Sequence, residues 1–315
     1  MQRKVLFIDT AHPSLQDLLE QMGFDCDHFP DAKFQDYLVL IKDYTGLVVR
    51  SKIPIHEPLL KQAVKLKFIA RVGAGMENID VASAHKRDIV CINAPEGNRD
   101  AVAEHAMGML LALLNNLLVA DREVRGGIWR REQNRGTELG GKTVGIIGYG
   151  NTGSAFAHRL SGFDVKILAY DKYKSGFSTD FVKESDMEQI FNESDVLSLH
   201  VPLTEETSWL VDKAYINRFV KPFYLINTSR GKVVNTIDLV ESLKAGKILG
   251  ACLDVLEYEK STFEQLNIDQ LPATYLQLAS MNNVILSPHI AGWTVESAIK
   301  MAQVLARKIS DLDNL

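Results

Sequence analysis

Short runs rich in valine, isoleucine and leucine alternate along this chain with segments of helical periodicity. KVLFID (4–9), GLVVR (46–50), KFIARV (67–72) and IVCIN (89–93) read as strands, because near-continuous hydrophobicity is what a parallel strand needs when both faces are covered. A helix is expected from about residue 101 to 125, with Asp100 as its N-cap. A second strand series follows: KTVGIIG (142–148), VKILAYD (165–171), DVLSLHV (195–201), FYLIN (223–227), LGACLDV (249–255) and NVILSP (283–288). Segments long enough for helices separate them, and the last stretch, 294–312, is amphipathic and helical in pattern. This alternation predicts an α/β protein with two doubly wound parallel-sheet units in one chain.

At 315 residues the chain has material for about two domains. Its 46% hydrophobic and 24% charged content is that of a globular protein and argues against disorder. A net charge of −5 gives no strongly basic face, so neither nucleic acid nor an anionic membrane is expected as a partner. The three cysteines, Cys26, Cys91 and Cys252, are widely spaced and make no disulfide framework or zinc cluster, so a reducing cytoplasm and no metal are expected. The opening MQRKVLFIDT runs straight into a strand pattern without an apolar signal core. The most apolar stretch, AMGMLLALL (106–114), is too short to cross a bilayer and is expected to be buried, against the core or against another subunit.

Chemistry enters with GYGNTG (148–153), a G-x-G-x-x-G set between a strand and a helix-like SAFAHRL. Gly148 permits the tight turn, Gly150 lets the backbone approach a pyrophosphate, and Gly153 lets the helix pack close to the strand. Turns also collect glycines, so the pattern alone is weak. The next strand, however, ends at Asp171, 18 residues beyond Gly153, where a carboxylate accepts from the adenosine ribose hydroxyls and repels a 2′-phosphate. NAD is therefore expected over NADP, with Lys172 and Lys174 acting against that preference.

Three ionisable residues follow successive strands of the second series. Arg230 stands in NTSRG after FYLI, Glu259 in LDVLEYE after GAC, and His289 in PHIAGWT after NVILS. In an open parallel sheet the carboxyl ends of the strands form the crevice where ligands bind. Arginine offers a planar fork for a carboxylate. Histidine donates a proton to an alkoxide, or takes one in reverse, and a neighbouring glutamate orients the ring. Reduction of a 2-keto acid by a nicotinamide needs these groups. Each residue also has a plain alternative: a helix cap or ion pair for Arg230, solvated surface for Glu259, packing for His289. Glu257 competes for the acidic role.

At this point the sequence resembles the D-isomer-specific 2-hydroxyacid dehydrogenases over almost its whole length. The carriers are VVRS (48–51), ARVGAGMENIDV (70–81), NAPEGNRDAVAEHAMGMLLAL (93–113), GTELGGKTVGIIGYGNTG (136–153), AYD (169–171), HVPLTEET (200–207), NTSRGKVV (227–234), ACLDVLEYE (251–259) and SPHIAGWT (287–294). The resemblance implies Arg230, Glu259 and His289 as the catalytic trio. It implies cofactor contacts from Tyr149, Asn151 and Thr152 in the glycine loop, and from His200, Val201, Pro202, Thr207, Thr228, Ser229 and Ala291. Asp254 is then expected to face the nicotinamide carboxamide. For the substrate it implies Arg50, Ser51, Arg71, Val72, Gly73, Ala74, Gly75 and Trp293. Glycines around residue 73 expose backbone N–H groups suited to an anion. The implied architecture is a Rossmann NAD-binding domain (98–293) inserted into a discontinuous flavodoxin-like substrate domain (1–97 and 294–315), with hinges near 97–102 and 287–294. A homodimer built on the greasy helix is implied as well.

The chain departs from the family pattern in three places. Lys260 stands where proline usually follows the glutamate, 30 residues separate Glu259 from His289, and Trp293 is bulky where small residues are common. Arg50, Arg71 and GTELGGKT are similar to the D-3-phosphoglycerate dehydrogenase branch and point to a phosphorylated substrate. Glyoxylate or hydroxypyruvate reduction is the alternative, and an NAD(H)-sensing binding protein is the reading from a different class. The intact trio favours an enzyme.

Overall fold

The computed structural model describes residues 3–259 and 271–312. These form two compact units, one comprising 3–99 and 293–312, the other 100–259 and 271–292.

The first unit is built on β1 (Arg3–Phe7), β2 (Phe24–His28), β3 (Gly46–Val49), β4 (Phe68–Arg71) and β5 (Val90–Asn93), all parallel, in the order β2-β1-β3-β4-β5. This is the flavodoxin-like order, and it reverses direction between β1 and β3. Side chains alternate strictly across the sheet. Val5 and Phe7 join Leu15, Leu19, Leu305 and Ile309 on one face, while Leu6 and Ile8 join Tyr37, Leu59 and Ala84 on the other. All four residues of β3 are buried, which explains its unbroken apolar run. The helix Val295–Ser310 opens with a capping box between Thr294 and Ser297.

The second unit carries β6 (Thr143–Ile147), β7 (Lys166–Tyr170), β8 (Val182–Glu184), β9 (Val196–Leu199), β10 (Phe223–Asn227), β11 (Ile248–Leu253) and β12 (Val284–Leu286), again all parallel. Their order, β12-β11-β10-β9-β6-β7-β8, is the dinucleotide-binding 3-2-1-4-5-6 arrangement with one strand added, reversing between β6 and β9. One face packs on the helices Pro95–Leu114 and Asn151–Leu160, through residues such as Leu110 and Phe156. The other packs on Phe191, Ile216 and Leu239.

Two expectations need correction. The helix expected over 101–125 is two helices, Pro95–Leu114 and Leu117–Arg125. Asp100 is not its cap. Pro95 supplies the first helical residue, where its missing N–H costs nothing. Asn116 takes a left-handed φ of 53° and breaks the run. The sheets also have edge strands that the hydrophobic pattern misses, β2 (FDCDH) and β8 (VKE). Only one residue of each is buried, so the apolar signal is absent. Among the described residues, no single helix is long and apolar enough to cross a membrane.

Candidate active site

In the second unit β6 ends at Ile147 and the helix Asn151–Leu160 starts four residues later. Gly148 has φ +92°, and a Cβ there would lie 2.4 Å from the His200 carbonyl oxygen, so no side chain fits. A Cβ at Gly153 would lie 2.0 Å from the Gly148 oxygen, which is the close helix packing expected of the third glycine. Gly150 faces open space, with nothing within 4 Å of its would-be Cβ. Asn151 and Thr152 begin the helix, where backbone N–H groups have no carbonyl a turn earlier to bind and favour an anion.

Asp171, just past β7, is pinned beside this loop. Its two oxygens accept from the backbone N–H of Tyr149 (2.8 Å) and Tyr173 (2.9 Å). The Tyr149 ring stacks on Phe177 at 4.5 Å. The neighbouring lysines are engaged within the protein: Lys172 pairs with Glu206, which also accepts from the Tyr173 hydroxyl at 2.9 Å, and Lys174 donates to the Tyr149 carbonyl at 3.3 Å.

His200 follows β9, and its Nε2 meets Ser198 Oγ at 2.8 Å. Desolvation pushes its pKa down to about 3, so the imidazole is neutral at physiological pH. The loop it opens, with Val201 and Pro202, is closed by Thr207, whose hydroxyl donates to the Pro202 carbonyl at 2.6 Å. Beyond β10, buried Asn227 organises the next loop. Its Oδ1 accepts from the N–H (3.1 Å) and hydroxyl (2.8 Å) of Ser229, and its Nδ2 donates to the Arg230 carbonyl (3.0 Å). The Thr228 hydroxyl is buried without a hydrogen-bond partner among the described residues. Open space over Gly150, a helix N-terminus and an orphaned hydroxyl past the same sheet edge fit a bound dinucleotide.

Arg230 lies just past β10, His289 three residues past β12, and Glu259 six residues past the end of β11. These strands are neighbours in one parallel sheet, so all three residues leave the same edge. His289 Nδ1 lies 2.7 Å from Glu259 Oε2, and the other carboxylate oxygen of Glu259 accepts from the Leu256 N–H. The ring therefore donates from Nδ1 to a fixed carboxylate, an arrangement in which a histidine can exchange a proton at Nε2. Glu257 is committed elsewhere: it accepts from Trp209 Nε1 (2.9 Å) and from the N–H (3.1 Å) and hydroxyl (2.7 Å) of Thr236. Arg230 Nη1 donates to the Ser229 carbonyl at 2.7 Å. A Cβ at Gly231 would lie 2.0 Å from the Leu256 carbonyl, so the loop of Arg230 and the loop of Glu259 touch backbone to backbone.

Asp254, 1% exposed, is tied to the histidine loop. Its Oδ1 accepts from Ser287 Oγ (2.6 Å) and the Ile290 N–H (2.9 Å), and its Oδ2 from the Ala291 N–H (2.8 Å). Its backbone carbonyl accepts from the His289 N–H at 2.8 Å. Three consecutive N–H groups thus converge on one residue, and His289, the first of the three, has φ +56°. Left-handed backbone costs a non-glycine residue about 1 kcal/mol, which these charge-assisted bonds outweigh. His105, from the helix Pro95–Leu114, completes the cluster with Nε2 at 2.9 Å from Ser287 Oγ. His105, Ser287 and Asn227 carry no role in the sequence pattern, although each stands inside a segment that bears the family resemblance.

The residues expected to meet the substrate lie in the first unit. Asp9, just after β1, accepts at one oxygen the N–H groups of Arg50 (3.1 Å), Ser51 (2.8 Å) and Lys52 (3.0 Å), which follow β3. The Arg50 guanidinium stacks on the Trp293 ring at 4.0 Å, and desolvation lowers its pKa against the pull of Asp9. Past β4, Val72 donates to the Val49 carbonyl (2.8 Å). Gly73 has φ +148°, a backbone conformation strained for any side chain, and the Arg71 guanidinium occupies the space where its Cβ would lie. The carbonyls of Gly73 and Ala74 accept from the Ala94 N–H (2.8 Å) and Asn93 Nδ2 (2.5 Å). The N–H groups of Gly73 and Ala74 have no acceptor among the described residues. Gly75 follows, half-buried.

A doubly wound sheet with a glycine-rich turn at its reversal point and an acid after the second strand defines a dinucleotide-binding protein. Comparison with known proteins narrows this. The family model of the D-isomer specific 2-hydroxyacid dehydrogenase NAD binding domain matches residues 107–291. D-3-phosphoglycerate dehydrogenase of Archaeoglobus fulgidus is 33% identical over 311 residues, covering 98% of this chain and 57% of that protein. Glyoxylate reductase of Thermofilum pendens is 38% identical over 282 residues, covering 87% and 80%. The NAD-complexed D-isomer specific 2-hydroxyacid dehydrogenase of Lactobacillus delbrueckii ssp. bulgaricus superimposes with a TM-score of 0.85 at 25% identity, covering 99% of this chain and 97% of that one. The chain belongs to the D-isomer specific 2-hydroxyacid dehydrogenase family, and its cofactor is NAD. It spans little more than half the length of the phosphoglycerate dehydrogenases it matches.

Proposed function

We propose that this protein catalyses hydride transfer between NAD and a D-2-hydroxy acid or its 2-keto acid. The observation that carries the reading is the 2.7 Å contact between His289 Nδ1 and Glu259 at the ligand-binding edge of a dinucleotide-binding sheet. The residues would hold NAD with its pyrophosphate at Gly150 and the N-terminus of helix Asn151–Leu160, and its adenosine ribose at Asp171. Bound NADH supplies the hydride. Arg230 binds the substrate carboxylate and draws electron density toward the carbonyl oxygen. His289 donates a proton from Nε2 to that oxygen as it becomes an alkoxide, and in oxidation takes it back. Glu259 keeps the ring oriented and balances the charge it carries. The second unit is the NAD-binding domain in this reading, and the first is the substrate domain.

For the substrate, Arg50 supports a phosphorylated 2-keto acid. It makes no side-chain hydrogen bond or ion pair among the described residues, and it sits past the strand where the first sheet reverses direction. Reduction of small unphosphorylated acids has its own support in the 38% identity to a glyoxylate reductase. A homodimer is supported by the exposed Leu117, Leu118, Val124, Ile128 and Trp129 on and after helix Leu117–Arg125. The greasy helix before it is largely buried within its own chain.

The test is NADH oxidation with phosphohydroxypyruvate, hydroxypyruvate and glyoxylate, followed by Arg230→Ala. Turnover that vanishes in the variant while NADH binding persists supports the reading. NADH binding without turnover of any 2-keto acid replaces it with a cofactor-sensing binding protein.

A further inference from the structure

We propose that Trp293 is a specificity-determining residue: by stacking on Arg50 it fixes the guanidinium as a fork for a phosphate on the substrate. This rests on the hydride-transfer reading above and names what the first unit selects.

The argument starts from what the loop after β3 can offer a ligand. The three backbone N–H groups that would make it an anion cradle are already taken by Asp9. The Lys52 ammonium is turned to the Tyr37 hydroxyl at 3.0 Å and the Ala32 carbonyl at 3.4 Å. That leaves the Arg50 side chain as this loop's charged donor.

Arg50 lies over Trp293 at 4.0 Å with no side-chain hydrogen bond or ion pair among the described residues. A guanidinium held face-on to an indole keeps its N–H donors in the plane, at the rim of the stack, where two can meet two phosphate oxygens. The stack also removes water from one face and limits rotamer freedom, so less is lost when the anion arrives. Trp293 is 60% exposed, which burial for folding alone does not explain. Both residues belong to one unit, so the stack is intrinsic to it.

The cation–π contact acts on the phosphorylated substrate alone. The experiment compares kcat/KM for phosphohydroxypyruvate and hydroxypyruvate, which differ by the phosphate, in wild type, Trp293→Ala, Trp293→Phe and Arg50→Ala. The expected result is a preference for the phosphorylated acid that falls about tenfold in Trp293→Ala and is largely kept in Trp293→Phe. Arg50→Ala should lose the preference, and adding Trp293→Ala to it should change nothing further. An equal loss on both substrates, or a Trp293 effect that persists without Arg50, overturns the proposal. Wild-type turnover of hydroxypyruvate alone, or of neither acid, overturns it too; the dehydrogenase reading falls only if no 2-keto acid, glyoxylate included, is turned over.

Discussion

Asp254 holds His289 through the backbone: its carbonyl accepts the histidine N–H at 2.8 Å, and its carboxylate takes the next two N–H groups. The proposed proton donor is thus set by a buried acid that does not touch its ring. Asp254→Asn turns an amide toward one of those N–H donors and leaves it unsatisfied. Because an unmet buried donor costs about 1–3 kcal/mol, denaturant melts should show a stability loss of that order. Steady-state assays should show kcat down by about a hundredfold, since small displacements of a catalytic group are costly. Unchanged kcat would mean the loop keeps its shape without this anchor.

Glu259→Gln keeps the volume but removes the charge that faces His289 Nδ1. The comparable loss of the orienting acid in a serine-protease triad costs about 10⁴ in kcat, and a fall of at least about 10² is expected here. NADH affinity, measured by fluorescence titration, should stay within about twofold because the glutamate makes no contact with the glycine loop. A matching change at Glu257 should act on folding instead, through Trp209 and Thr236.

Cofactor choice should respond to Asp171. With Lys172 held by Glu206 and Lys174 on the Tyr149 carbonyl, the acid's charge dominates beside the loop. Asp171→Ala should lower kcat/KM for NADH about tenfold and narrow the NADH-to-NADPH ratio. Preference for NADPH in the wild-type enzyme would contradict this role.

His200 links stability to pH. Its pKa is about 3 when folded, against an ordinary value near 6.5, so the unfolded chain binds a proton that the native state refuses. Its contribution is therefore present above about pH 6.5 and is lost as pH falls toward the folded value, at up to about 1.4 kcal/mol per unit. Urea denaturation at pH 7, 6 and 5 should show this slope in the wild type and a shallower one in His200→Gln.

Central strands such as β3 and β6 are legible in the sequence because burial on both faces leaves no polar position. The edges β2 and β8 are not, since one half-wet face erases the pattern. The glycine loop is legible because Gly148 and Gly153 each answer a separate steric demand while Gly150 leaves open space above the turn. The choice between Glu257 and Glu259 is not, because two residues of spacing in a loop do not fix which carboxylate turns to the histidine. Nor is the cluster of His105, Ser287 and Asp254, whose members are brought together by a helix and two strands far apart in the chain.

The backbone contact at Gly231 couples parts of the chain that are remote in sequence. A methyl group there would push on the Leu256 carbonyl, and through the short turn that follows it would displace Glu259. Arg230 and Glu259 are consequently set by one clasp, so their spacing is inherited as a pair, and sequence drift in either loop is admissible only where it spares the seam between them.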